Sequence, residues 1–292
     1  MKNTKIETFT DTWNPIQGCL NKCRYCYADN LAKRFGGHRS LAYYMCQEGA
    51  FETGELHVLD VPMRDEVTKE AEAYPFGFDP TFCRFRLKMP AEIKRPGNIF
   101  VSSMGDMFGP WIPDSWIDEV LTAALETPRH NFCFLTKFPD RYNSLPSVPD
   151  NFLFGATIDT NERLLNTLAV TTPAIRFLSI EPLLERIEIE HYFTHAAKVP
   201  EWIIVGSETG RVPGHIDAQY DWVRDILEVC QAHNVPLYMK NGFKTKSGST
   251  YMRELMGDEF VQQYHPTLLK QIDKNTGSAS GTQVDGGKTN EQ

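Results

Sequence analysis

The sequence predicts an α/β protein built as a partial (β/α) barrel of six to seven parallel strands. From residue 98 onward, short apolar runs of β-rich composition alternate with amphipathic helical runs. The apolar runs start at intervals of roughly 20 to 35 residues, the spacing of βα units with right-handed crossovers. Each run ends in polar side chains, as expected where a barrel presents its chemistry at the carboxyl ends of its strands.

The chain begins with a β-like opening, which supplies the first strand, and TFTDTWNPIQG then leads into CLNKCRYCY. A helix is predicted over residues 28–35, because Gly36 and Gly37 end the helical run. The next 60 residues are long for a plain connection, so we predict an insertion over residues 38–97, beside or over the active site. Helical pieces are expected within it around residues 40–48 and 63–73.

The regular part of the chain supplies the other strands. They are expected in NIFVSSM, NFCFLTK, FLFGATID, AIRFLSI, EWIIVGS and VPLYMK. Helices are predicted in DSWIDEVLTAALE, NERLLNTLA and QYDWVRDILEVCQAH, and the first and last of these show one apolar stripe. The predicted domain organisation is a barrel over residues 1–245, a C-terminal extension over 246–272 and a disordered tail over 273–292, which has almost no apolar content.

Length and composition set further bounds. The 292 residues suffice for one catalytic barrel domain. The polar N-terminus has no signal-like apolar region and no run is long enough to span a membrane, so we expect a cytoplasmic protein without a membrane partner. Three of the seven cysteines fall in one short motif, which argues against a disulfide framework. The net charge of −8 argues against tight, sequence-independent DNA binding but leaves a local basic groove open.

Three cysteines lie within eight residues at Cys19, Cys23 and Cys26. Structural zinc sites use four ligands, so this set is incomplete for zinc. It suits an iron–sulfur cluster better, because four irons held by three cysteines leave one iron without a protein ligand. That iron is able to bind a small molecule through an amine and a carboxylate. Two alternatives stay open: zinc completed by His38 or Cys46, and inert thiols.

The cysteine spacing, three residues and then two, with aromatic Tyr25 before the last cysteine, resembles the signature of the radical S-adenosylmethionine (SAM) superfamily. The resemblance implies a 4Fe-4S cluster on the three cysteines and S-adenosyl-L-methionine on its open iron. It also implies reductive cleavage of SAM to a 5′-deoxyadenosyl radical, with the electron supplied by an external donor of the flavodoxin or ferredoxin type. The residue at the position of Tyr25 usually lies near the adenine in this superfamily.

Further segments extend the resemblance over about residues 8–245. They resemble an uncharacterised three-cysteine family of phage and bacterial radical-SAM-like proteins, in CLNKCRYCYADNLAKR, PGNIFVSSMGDMF, NFCFLTKFPDR, AIRFLSIEPLL, EWIIVGSETG and NVPLYMKNG. The cysteine loop and the FLTK strand are also distantly similar to spore photoproduct lyase, which repairs a thymine lesion in DNA. Fold and cofactor do not determine the substrate, so this likeness gives only an expectation.

The resemblance also implies residues that bind the cofactor. SSMGDMF, with Ser103 and Asp106, stands where radical SAM enzymes carry a Gly-Gly-Glu-like segment that grips the methionyl amine, although the pair of glycines is absent. At the next strand ends, Thr157 and Asp159 are candidates for the ribose hydroxyls or the carboxylate of SAM, and Glu181 is a further candidate. The alternative for Asp106 is a helix-side cap, and the alternative for Asp159 and Glu181 is a turn or cap.

Three strand-end residues are candidates for catalytic roles: Lys137, Glu208 and Lys240. Lysines at barrel ends also serve as pairing partners for carboxylates, and this alternative stays open. Because side chains two apart in a strand share a face, Cys133 aligns with Lys137 and Tyr238 with Lys240. Cys133 is therefore expected to face the barrel interior, with the alternative that it simply packs under the site.

The function expected from these observations is that of a radical SAM enzyme, with the class of lyase, oxidoreductase or transferase left open. The favoured substrate is a nucleic-acid base, for repair or modification, which requires a flipped base or a single strand. One alternative is a radical SAM enzyme that acts on a peptide or a small metabolite. The other is a non-catalytic iron–sulfur or zinc-binding phage accessory protein.

Overall fold

The structure is a computed structural model that describes residues 4, 6–36, 54–170, 175–209, 212–243 and 250–268. Strands in these ranges are, in chain order, β1 (Asp11–Trp13), β2 (Ile16–Gln17), β3 (His57–Leu59), β4 (Thr81–Cys83), β5 (Asn98–Val101), β6 (Asn131–Thr136), β7 (Phe152–Thr157), β8 (Phe177–Ile180), β9 (Trp202–Val205) and β10 (Leu237–Met239). Helices are α1 (Tyr27–Phe35), α2 (Met89–Glu92), α3 (Asp114–Leu125), α4 (Asn161–Thr167), α5 (Ile189–His195), α6 (Tyr220–Ala232) and α7 (Met252–Met256).

Seven of the strands form a curled, all-parallel sheet in the order β1-β5-β6-β7-β8-β9-β10. The register pairs Trp13 with Val101 at one end of the sheet and Met239 with Val205 at the other. All six residues of β7 are buried, as expected for a parallel strand with structure packed on both faces. The prediction of an α/β fold with six to seven parallel strands in a partial barrel is confirmed.

The helices predicted after the cysteine motif and in the regular part of the chain are also present, with ends within two residues of the expected bounds. In α3 the apolar stripe is buried at Ile117, Val120 and Leu121. In α6 the same holds at Val223, Ile226, Leu227 and Cys230. These helices cover the outer face of the sheet, because they belong to the main apolar cluster together with outward-facing strand residues. No helix in the described ranges is both long enough and apolar enough to cross a membrane.

A second apolar cluster lies inside the curl of the sheet. It is formed by Phe9, Cys133, Leu153, Phe177, Trp202, Ile204, Tyr238 and Leu268. Cys133 belongs to this inner cluster and is fully buried, so it faces the barrel interior as predicted and packs under the site. This cluster fills the lower part of the half-barrel and leaves space at the carboxyl ends of the strands.

Two strands of the segment predicted as an insertion, β3 and β4, form a small sheet with β2, in the order β2-β4-β3. The helix expected around residues 63–73 is wrong: this stretch forms turns, with an antiparallel bridge between Arg64 and Ala71. The carboxylate of Asp65 accepts hydrogen bonds from the backbone N–H groups of Val67 and Thr68, which replaces helical bonding. The helix expected at 40–48, His38, Cys46 and the tail over 273–292 lie outside the described residues.

Both edges of the half-barrel meet segments from the chain ends. After α7, the chain runs antiparallel beside β10, where Met239 N donates to Val261 O at 2.9 Å and Gln263 N donates to Leu237 O at 2.9 Å. Before β1, the carboxylate of Glu7 accepts from the Tyr238 hydroxyl at 3.2 Å. The turn at residues 6–9 therefore stands in the gap between the first and last strands of the sheet.

Candidate active site

A cavity of about 290 Å³ lies at the carboxyl ends of the sheet strands, beneath the cysteine loop. Its size is near the lower end of the range for small-molecule and cofactor sites. Eleven of the twelve side chains that the sequence indicated line this cavity together: Cys19, Cys23, Tyr25, Cys26, Ser103, Asp106, Lys137, Thr157, Glu181, Glu208 and Lys240. The twelfth, Asp159, is not a lining residue, although it bonds to two residues that are.

The cysteine loop places three free, partly exposed thiols at the mouth of this cavity. Cys26 caps the N-terminus of α1, and its sulfur accepts from Asp29 N at 3.4 Å. The Asn21 backbone N donates to the Cys19 sulfur at 3.4 Å, and the Asn21 side-chain nitrogen donates to the Cys23 sulfur at 3.0 Å. All three sulfurs therefore lie among N–H donors, and the positive end of α1 adds to this environment.

Burial raises the pKa of the Cys19 thiol, and the nearby carboxylate of Asp106 raises it further. Burial also raises the pKa of Cys26. Thiolates at these positions therefore need a positive partner, which iron ions would supply. In the described ranges, no three His, Cys, Asp or Glu side chains are grouped so as to hold a metal ion. A four-iron cluster does not need that convergence, because each cysteine binds a different iron, so the donor set fits such a cluster.

Close backbone packing joins the cysteine loop to the SSMGDMF segment. Gly18 N donates to Met104 O at 2.9 Å, and Gly18 and Gly105 form a parallel bridge. Gly18 has φ +82°, and a Cβ atom on it would lie 2.2 Å from Asp79 O. A Cβ on Gly105 would lie 2.5 Å from Gly18 O. The single glycine of the segment is thus used for packing against the loop.

Tyr25, the aromatic residue of the cysteine motif, joins a buried ion-pair network. Its hydroxyl donates to Asp159 Oδ2 and accepts from Lys137 Nζ at 2.6 Å. Lys137 Nζ lies 2.7 Å from Asp159 Oδ2, and Arg163 Nε lies 2.7 Å from Asp159 Oδ1. Burial alone would raise the pKa of Asp159, but the surrounding positive charges and hydrogen bonds outweigh it and hold that pKa below its usual range. The network ties the loop to the ends of β6 and β7.

The side chain of Asp106 is fixed by hydrogen bonds from nearby residues of the chain. Its carboxylate accepts from the Thr136 hydroxyl at 2.7 Å, from Lys137 N at 3.0 Å and from Phe108 N at 3.1 Å. Burial raises the pKa of this carboxyl, and these bonds oppose the rise. The bond to the residue two positions later is a local turn contact, which differs from the helix-side cap that the sequence left open as an alternative. A role for Asp106 toward a methionyl amine stays a prediction.

Two further carboxylates at the strand ends pair with basic side chains. Lys240 Nζ lies 2.7 Å from Glu181 Oε2, and a Cβ atom on Gly206 would lie 3.1 Å from Glu181 Oε1. Glu208 is 4% exposed and pairs with Arg24 of the cysteine loop at 3.0 Å. The three candidate catalytic residues thus all have charged partners in the protein, which is the pairing role that the sequence left open.

The remaining candidates lie where expected. The Ser103 hydroxyl donates to Asn14 Oδ1 at 3.0 Å, and the Ser103 carbonyl accepts from the Tyr27 hydroxyl at 2.5 Å. Thr157 is 8% exposed at the end of β7 and lines the cavity. Each is positioned to offer one polar atom at the cavity wall.

Sequence reasoning missed several residues of the site. Arg24 lies inside the cysteine motif, but nothing in the sequence indicated its pairing with Glu208. Arg163 stands four residues after Asp159 at the start of a predicted helix, a spacing that favours an ion pair and was available as a signal. Thr8 and Ser102 also line the cavity and carried no sequence signal.

Comparisons with known proteins give one match. Searches of curated proteins and of solved structures found no match to the chain. The model of the family described as "Protein of unknown function (DUF5131)" matches residues 3–292, and the chain therefore belongs to that family.

Proposed function

We propose that this protein is a radical SAM enzyme that holds a 4Fe-4S cluster through Cys19, Cys23 and Cys26. The observation that carries the proposal is that one cavity brings together the three cysteines and the polar ends of the strands. The chain's resemblance to radical SAM proteins in the same segments supports it. The half-barrel also has its cavity at the carboxyl ends of its parallel strands, where α/β-barrel enzymes carry their active sites.

When bound, the cluster and SAM would together supply a 5′-deoxyadenosyl radical, formed with one electron from a flavodoxin- or ferredoxin-type donor, to remove a hydrogen atom from a substrate. The protein's own residues position and shield these groups. Tyr25 and Lys137 fix the cysteine loop against the strand ends. Arg24 bonds to Glu208 and to the carbonyls of Pro213 and Gly214, which holds the loop over the opposite side of the cavity.

In the Glu181–Lys240 pair at the rim both partners are partly exposed, with side-chain exposures of 28% and 22%, whereas Glu208 in the Arg24–Glu208 pair is fully buried. Its partial exposure makes it the pair best suited to exchange its internal contact for the amino and carboxylate groups of a ligand. The Lys137–Asp159 pair is more buried, with side-chain exposures of 13% and 7%, and is better suited to fix the cysteine loop against the strand ends. The cofactor-binding role therefore falls first to Glu181 and Lys240 in this proposal.

For the substrate we favour a nucleic-acid base. The distant similarity to spore photoproduct lyase supports this choice, whereas the net charge of −8 offers no general attraction for phosphates. Filter binding of single-stranded DNA and RNA at several salt concentrations tests it. Absence of binding even at low salt would remove the nucleic-acid substrate and leave the peptide or metabolite alternative.

The reaction class is tested by incubating anaerobically reconstituted protein with dithionite and SAM and measuring released 5′-deoxyadenosine. The wild type is expected to release it, and Cys23→Ala to release none. Cys230→Ala is the matched control, because Cys230 is a buried core residue of α6 and should leave the release unchanged. If the wild type releases no 5′-deoxyadenosine, or Cys23→Ala still does, the radical SAM proposal is wrong.

A further inference from the structure

The cavity has two chemically different parts. Its rim carries the cysteines and the charged strand-end residues described above. Its depth, inside the curl of the sheet, is lined by side chains without charge: Ile6, Phe9, Phe100, Leu135, Phe177 and Ile204. The period-two alternation of strands explains the division, because Leu135 faces the cavity two residues before Lys137, and Phe177 faces it four residues before Glu181.

The apolar part is shaped by aromatic rings. The rings of Phe9 and Phe100 stack with centroids 4.8 Å apart and an interplanar angle of 11°. A Cβ atom on Gly155 would lie 2.4 Å from the Phe177 ring, so the absence of a side chain at Gly155 lets this ring lie across the neighbouring strand. Phe177 is fully buried and belongs to the cluster that fills the half-barrel below. Flat apolar surfaces therefore form the wall and floor of this part.

Thr8 and Ser102 line the cavity, and their hydroxyl oxygens, Thr8 Oγ1 and Ser102 Oγ, are buried and have no hydrogen-bond partner among the described residues. Thr8 is 1% exposed and Ser102 is 4% exposed. Unpaired buried polar atoms are uncommon and cost free energy, so they call for an explanation. Ser102 also has φ +54°, a backbone conformation that is unfavourable for a residue with a side chain. Strain of this kind is concentrated at functional sites.

We infer that the apolar part of the cavity binds an uncharged, ring-sized group of the substrate that carries at least one hydrogen-bonding atom. Phe9 and Phe100 would contact its faces, and the buried hydroxyls of Thr8 and Ser102 would turn toward the cavity to bond to its polar atom. A charged group is disfavoured there, because burial of an ion without a partner is costly. The inference rests on the proposed function insofar as it assigns this group to the substrate, and it narrows the substrate to molecules with such a ring.

The test measures binding of three probes to the full-length protein by isothermal titration calorimetry. The probes are p-cresol, toluene and benzoate, which share a ring and differ in carrying a hydroxyl, no polar atom or a charge. We expect p-cresol to bind roughly three- to tenfold more tightly than toluene, the gain of one or two buried hydrogen bonds. Benzoate is expected to bind more weakly than either.

Variants locate the binding site. Thr8→Val keeps the side-chain shape and removes the hydroxyl, and Ser102→Gly removes the hydroxyl and relieves the positive φ. Each is expected to weaken p-cresol binding roughly threefold or more and to leave toluene binding unchanged. Thr194→Val is the matched control, because Thr194 lies exposed on α5 and its hydroxyl donates to the Glu190 carbonyl. It should change no affinity.

The inference is overturned if p-cresol binds no better than toluene, if benzoate binds best, or if both hydroxyl variants keep wild-type affinity for p-cresol. Probe binding needs no reductant and no SAM cleavage, so the two proposals fail separately. Expected probe binding without 5′-deoxyadenosine release supports the ring site and contradicts the radical SAM function. Release of 5′-deoxyadenosine without selective probe binding supports that function and overturns the ring site.

Discussion

Replacing Lys137 by methionine tests the role assigned to the buried network beneath the cysteine loop. The Lys137 ammonium is 2.6 Å from the Tyr25 hydroxyl and 2.7 Å from Asp159 Oδ2. Methionine keeps most of the apolar stem and removes the charge and both bonds. Asp159 would then keep only Arg163 as a charged partner, at 2.7 Å. The cysteine loop would lose one of its ties to the strand ends.

The expected cost follows from burial. Breaking a buried ion pair costs about 3–5 kcal/mol when the remaining charge has no partner. Arg163 still partners Asp159, so we expect a loss of about 2–3 kcal/mol in the free energy of unfolding. The pKa of Asp159 in the folded protein is lower than that of an ordinary Asp side chain. The ion pair therefore contributes its full stabilisation at pH values above the ordinary Asp pKa. This contribution disappears as the pH falls through the lowered pKa and Asp159 is protonated.

The assay is urea unfolding of wild type and variant at several pH values. Lys33→Met is a matched control, because Lys33 and Asp29 form a pair of similar length, 2.6 Å, with side-chain exposures of 40% and 22%. An exposed pair of this spacing contributes about 0.3–0.5 kcal/mol. If Lys137→Met costs no more than Lys33→Met at pH 7, or if its cost is unchanged at low pH, the network does not stabilise the loop as argued.

Two further predictions concern stability. Gly18→Ala should lower the free energy of unfolding by about 3 kcal/mol or more, because it combines a positive φ with a clash against Asp79 O. Gly214→Ala should lower it by only about 1–2 kcal/mol, because Gly214 has φ +67° but a Cβ atom there would meet no atom within 4 Å. Equal losses on urea unfolding would contradict the packing argument. Burial acts to raise the pKa of Glu201, but hydrogen bonds from Arg176, Lys198 and His265 outweigh it and lower that pKa from 4.5 to about 2. Glu201→Gln should therefore cost about 2 kcal/mol at pH 7 and progressively less between pH 4.5 and 2, and a cost independent of pH would refute this.

The sheet was predictable because its strands are buried on both faces. Residues 152–157 are all buried, and such runs of apolar residues are recognisable without tertiary information. Helix α5 was not predicted, because it lacks a start signal: Glu188 at its N-cap makes no side-chain cap bond, whereas the equally short α4 follows Thr160, whose side chain accepts from Arg163 N. The helix expected at residues 63–73 failed because its charged residues form no apolar stripe to bury and Asp65 bonds to the local backbone.

The site was predictable as a set but not in its pairings. Parallel strands bring their carboxyl ends to one edge, which is why the strand-end residues line one cavity. Which charge pairs with which depends on loop geometry that the sequence does not encode locally. The Lys137–Asp159 pair spans two adjacent strands, whereas the Arg24–Glu208 pair joins residues that are 184 positions apart. Thr8 enters the cavity through a turn in the gap of the half-barrel, for which no motif exists.

The central claim is that three cysteines hold a four-iron cluster whose fourth iron is open to SAM. It is tested most directly by electron paramagnetic resonance of the dithionite-reduced protein before and after addition of SAM. We predict a reduced-cluster signal that changes when SAM is added and that is absent in Cys23→Ala. A cluster signal that SAM leaves unchanged, or protein that binds zinc and no iron after anaerobic reconstitution, would contradict the claim.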